Sequence, residues 1–90
     1  MTDSLQRQVA WTSEGRRSLK HLPPRVLPAV ISFATERLTD NPWRVTHSLN
    51  APLDRYRSAR VGSYRILVSI DETTKTVYVV KAAYHADIYR

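Results

Sequence analysis

Two arginines and a short tail hold the groups of this 90-residue chain best able to do chemistry. Arg60 and Arg65 bracket Val61-Gly62-Ser63-Tyr64, and the tail reads Tyr84-His85-Ala86-Asp87-Ile88-Tyr89-Arg90. Guanidinium groups recognise phosphate through paired hydrogen bonds. Phenol, imidazole and carboxylate move protons when their pKa lies near the working pH. That combination suits proton transfer beside a bound phosphate group. Arg60 and Arg65 are the candidates for charge stabilisation. His85 and Tyr89 are the candidates for proton transfer, with base and acid open between them. Arg57 and Lys81 are added as RNA-binding cations.

Other chemistries fit less well. The chain has no cysteine, so thiolate catalysis, disulfides and sulfur-ligated metals are out. Asp40, Asp54, Asp71, Glu72 and Asp87 are scattered, without the paired carboxylates of a two-metal site. His21, His47 and His85 are too far apart in sequence to suggest zinc. Neither a metal nor a cofactor is expected. Fourteen Lys and Arg against eight Asp and Glu leave a net charge of +6, which favours an anionic partner. Nucleic acid, an acidic protein or an anionic membrane would each satisfy it. No apolar run approaches the ~20 residues of a membrane span, and MTDSLQRQVAW lacks the layout of a secretory signal. A cytoplasmic protein with no membrane partner is expected.

The elements that must position these groups follow from periodicity. Residues 1–90 read as one domain without repeat or linker. Leu5 to Trp11 alternates as a strand. Thr12 and Ser13 suit the cap of a short helix through Leu19 and Leu22, which Pro23-Pro24 stops. A second helix starts near Pro24, with Val26, Val30, Phe33, Ala34 and Leu38 on one face. Pro28 is tolerated in its first turn, and Thr39-Asp40-Asn41-Pro42 ends it.

From Asp54 the period becomes two. Strands are predicted over Arg55 to Arg60, Tyr64 to Ile70 and Thr76 to Ala83, with a tight Gly62-Ser63 turn and a looser Asp71 to Lys75 turn. The order β-α-α-β-β-β implies an α+β fold, an antiparallel sheet with a helical hairpin packed on one face.

A two-residue loop at Gly62-Ser63 sets Arg60 directly opposite Arg65, on a face shared with Ser58 and Leu67. Ala59, Val61, Tyr64, Ile66 and Val68 then face the helices. Two opposed arginines repel by up to ~1 kcal/mol, and a bound anion reverses that sign. Side chains splayed into water would relieve it as well, and a slip of one residue would separate the pair. Arg57 falls on the apolar side and must sit at a strand end or an edge.

The stretch Ser58-Ala59-Arg60-Val61-Gly62-Ser63-Tyr64-Arg65-Ile66-Leu67 resembles the (Y/S)xxRxGxYRhhY core of RelE/ParE toxins. Leu19 to Pro24 resembles their LxxLP helix end. Asn41-Pro42-Trp43-Arg44 with Leu49 resembles their xPxRxxxxL connector, and Ala86-Asp87-Ile88-Tyr89 their tail. The resemblance implies a RelE-like toxin, monomeric alone, held by a cognate antitoxin in a complex of higher order. RelE-like members cleave mRNA in the ribosomal decoding site without metal; ParE-like members share the fold but poison DNA gyrase. By motif, Arg65 takes the phosphate-binding arginine, Tyr89 the C-terminal catalytic tyrosine and Arg60 the basic position of the preceding strand. Ser58 departs from the pattern where many relatives carry a second basic residue. Tyr84-His85 departs where they read His-Arg, and Val68 or Ser69 where they carry the last tyrosine of the core.

Overall fold

The computed structural model describes residues 6–89. Strand β1 (Gln8–Trp11) leads into helix α1 (Ser13–Leu19) and helix α2 (Leu27–Ser32), which continues as a π-helical stretch over Phe33–Leu38. A short α3 (Pro42–Val45) and a two-residue β2 (His47–Ser48) follow. The chain then runs through β3 (Arg57–Val61), β4 (Tyr64–Asp71) and β5 (Thr76–Tyr84). The α+β class and the helices packed on a sheet are as the periodicity predicts.

The sheet order is β1-β5-β4-β3-β2. Neighbours from β5 to β2 run antiparallel, whereas β1 runs parallel to β5, Val9 opposite Val77 and Trp11 opposite Val79. An antiparallel sheet throughout was expected, so this edge is a correction. The chain leaves β1 into the helices, re-enters the sheet at the far edge and meanders back until its last strand lies beside its first. The predicted first strand reached back to Leu5, which lies outside the described residues.

Burial explains the helical hairpin. Val30, Ala34 and Leu38 recur every four residues and are fully buried. They pack with Leu22 against Ile66, Val68, Val77, Val79 and Ala82 of the sheet. The π-helical stretch has a wider turn than an α-helix, which keeps residues spaced by four on the sheet side. Thr12 caps α1, its Oγ1 accepting from the Gly15 amide at 3.0 Å.

Helix α1 lies directly against β5. A Cβ on Gly15 would collide with the Val79 carbonyl oxygen. The Thr12 amide donates to that same oxygen at 3.1 Å, and the Ala82 amide donates to Ser18 Oγ at 3.0 Å. Beyond Trp11, then, α1 takes over from β1 in satisfying the edge of β5.

Candidate functional site

The β3–β4 hairpin has the predicted register. Val61 pairs with Tyr64, Arg60 with Arg65, Ala59 with Ile66 and Ser58 with Leu67. Gly62 sits at φ +61, the conformation that a type II′ turn requires of its first central residue. Arg60 is exposed and Arg65 half-buried. On the same face Ala83 pairs with Arg65, and Lys81 pairs with Leu67. Immediately beyond, the ladder shifts register between Leu67 and Val68, leaving Val80 as an extra residue on β5.

The tail folds back over this face. The His85 amide donates to the Ser63 carbonyl at 3.0 Å, so the end of β5 is tied to the hairpin tip. A turn follows, the Asp87 amide donating to the Tyr84 carbonyl at 2.8 Å. Lys81 Nζ donates to the Asp87 carbonyl at 3.2 Å. Ile88 is 2% exposed, and next to it the Tyr89 ring stands 49% exposed at a cleft of about 170 Å³. Leu67, Lys81, Leu53, Tyr56 and Glu14 are among the other residues lining that cleft.

The predicted residues therefore divide into three places. Arg60 and Arg65 face each other across the hairpin. Lys81 and Tyr89 share the cleft one strand step beyond them, reached through Leu67. His85 lies on the other side of the arginine pair, at the hairpin tip. Its ring stacks on Tyr84 with centroids 4.4 Å apart, and Tyr84 meets Tyr64 edge-on at 5.5 Å. Glu14 and Tyr56 were missed. Nothing in their sequence neighbourhood marks them, because each reaches the cleft only through the tertiary fold.

Arg57 sits apart from this face. It begins β3, opposite Ser48 and Val68, as a residue falling on the apolar side must. Its Nε donates to Thr46 Oγ1 at 2.7 Å, its Nη2 donates to the Thr46 carbonyl at 2.9 Å, and its guanidinium lies 4.9 Å over the Trp43 ring. Its donors serve the α3 connector, away from the face that carries Arg60 and Arg65.

The same Trp43 donates from Nε1 to Glu72 at 2.6 Å, and Arg7 donates to both oxygens of that carboxylate, at 3.1 and 2.8 Å. The Arg7 hydrogen bonds first, then that of Trp43, hold the Glu72 carboxyl at a pKa of about 2. This clamp joins the approach to β1, the α3 connector and the β4–β5 turn. Among the described residues, no three His, Asp or Glu side chains come together in a way that could hold a metal ion.

No profile of a known protein family matches the chain. Toxin RelG of Mycobacterium tuberculosis is 44% identical over 82 residues, covering 91% of this chain and 94% of that protein. Toxin RelE of the same organism is 32% identical over 90 residues, covering 100% of this chain and 93% of that protein. The chain belongs to the RelE toxin family. A solved structure, the toxin–antitoxin complex RelBE2 of M. tuberculosis, superposes on it with a TM-score of 0.84 at 39% identity, covering 88% of this chain and 98% of that one. This RelE-family toxin thus shares fold and length with its relatives.

Proposed function

We propose that this RelE-family toxin is a metal-independent endoribonuclease that cleaves mRNA on the ribosome, in the cytoplasm, and that a cognate antitoxin holds it in check. One observation carries the reading: Arg60 and Arg65 stand side by side on a sheet face, with Lys81 and Tyr89 one strand step away. Two opposed guanidinium groups repel in the empty protein and are relieved by a phosphate bridging them. They then stabilise the charge that builds on the non-bridging oxygens as the 2′-hydroxyl attacks. Lys81, on the neighbouring β5, adds a third cation to the same face. Tyr89 and His85 flank the arginine pair from its two sides. A proton can therefore be taken at one end of the scissile unit and given at the other, in either assignment.

The ParE-like alternative, inhibition of gyrase without RNA cleavage, is the less favoured reading, because both relatives are Rel toxins. The antitoxin assignment draws on RelBE2, which was solved as a toxin–antitoxin complex.

Primer extension on cellular mRNA after brief induction tests the proposal, with wild type beside Arg65→Ala and Tyr89→Phe. New cuts within translated frames are expected, reduced ~10²–10³-fold by loss of Arg65 as a charge-stabilising donor. Tyr89→Phe keeps the ring and removes the proton, and is expected to cut poorly with an unchanged melting temperature. Arrested growth with intact mRNA, undiminished in both variants, would overturn the nuclease reading and return gyrase as the target.

A further inference from the structure

We propose that the cleft between the tail and the first turn of α1 is a base-selecting subsite. In it Glu14 chooses an amino-bearing nucleobase of the RNA strand whose phosphate lies at Arg60 and Arg65. The proposal rests on the nuclease reading and adds to it the residue that decides which RNA positions are cut.

Size and lining point to a base. The cleft, about 170 Å³, is roughly five to six times the ~30 Å³ that one water takes in the liquid. An open cleft of that size admits a planar ring system. Leu53 and Leu67 give it apolar walls, Tyr56 and Tyr89 give it aromatic ones, and Glu14 and Lys81 are its charged groups. Apolar and aromatic walls combined with a few placed polar groups are found in small-ligand sites. Unstacked RNA bases are read in this way, by stacking on aromatic rings and by hydrogen bonds to their edges.

Position ties the cleft to the scissile phosphate. Leu67 lies two residues along β4 from Arg65 and on the same face. That step is ~6.8 Å, a distance one nucleotide covers between its phosphate and its base. A strand held by the arginine pair therefore brings a neighbouring base over the cleft.

Glu14 supplies the selection. Among the described residues lining the cleft it is the only carboxylate, and no side-chain hydrogen bond or ion pair among the described residues engages it. Its backbone is fixed on both sides by the Thr12 cap and by the close approach of Gly15 to Val79, so the carboxylate is delivered from a rigid turn. An ionised carboxylate only accepts hydrogen bonds. It favours the exocyclic amino groups of cytosine, adenine or guanine, and it meets a second acceptor where uracil carries O4.

Cytidine and uridine 3′-monophosphate differ at that one group. Each is titrated into the full chain while NMR signals of the cleft residues are followed. The cytidine nucleotide is expected to bind about tenfold more tightly, and Glu14→Gln, which can donate as well as accept, is expected to erase the difference. Equal affinities in wild type, a preference that survives Glu14→Gln, or no response of the cleft to either nucleotide overturns the subsite. Cleavage mapping separates this from the parent reading. Arg65-dependent cuts without nucleotide discrimination leave the nuclease and remove the subsite; discrimination without cuts does the reverse.

Discussion

Glu72 is the residue whose surroundings most change its chemistry, although it sits outside the candidate site. Its carboxyl is exposed, and hydrogen bonds from Arg7 and Trp43 hold its pKa at about 2, below the ordinary 4.5. A carboxyl depressed by folding stabilises the fold fully above its ordinary pKa and loses that contribution as pH falls through the folded value. The contribution of Glu72 is therefore lost between about pH 4.5 and pH 2. Urea midpoints measured across that interval are expected to fall more steeply for wild type than for Glu72→Gln. Parallel curves would mean that solvent screening leaves the clamp without effect.

At the same scale, the pairing of Arg60 with Arg65 was legible in the sequence, because Gly62 selects a two-residue turn and the turn sets the register. Glu14 and Tyr56 were not. The first is one polar residue in a helix start and the second lies in an irregular loop, so no periodicity records that they meet at Tyr89.

Elements divide in a similar way. The last three strands alternate clearly, and their predicted bounds lie within two residues of those observed. Strand β1 has four residues and β2 two. Segments so short carry no signal of their partner, which is why the parallel pairing with β5 was not foreseen. The π-helical stretch was read as ordinary helix, since a spacing of four fits both.

Packing of α1 on β5 rests on the absence of a side chain at Gly15. Gly15→Ala forces the helix away from the Val79 carbonyl, and overpacking of this kind costs about 1–3 kcal/mol. A lower denaturant midpoint is expected, together with faster amide exchange at Ala82, whose N–H is held by Ser18 of the same helix. An unchanged midpoint would show that α1 can shift freely. That outcome would also remove the rigid support proposed for Glu14.

For the molecule as a whole, the net charge of +6 is the property read most directly from composition. Binding to single-stranded RNA should release counterions, with log K falling against log salt by ~0.7 per phosphate neutralised. Replacing Arg60 or Lys81 by Ala is expected to lower that slope by about 0.7 each, measured by fluorescence anisotropy across a salt series. Arg57→Ala, in a chain shown to be folded, is expected to leave the slope unchanged, because its guanidinium is spent on Thr46 and Trp43.

The strand order also bears on how the toxin is made. Strand β5 lies between β1 and β4, so the first strand of the sheet has no neighbour until the last has been translated. Arg60 and Arg65 are made before Lys81 and Tyr89, and the sheet that aligns them closes only when β5 is in place. The face proposed to bind RNA is therefore completed only once the last strand has joined the sheet.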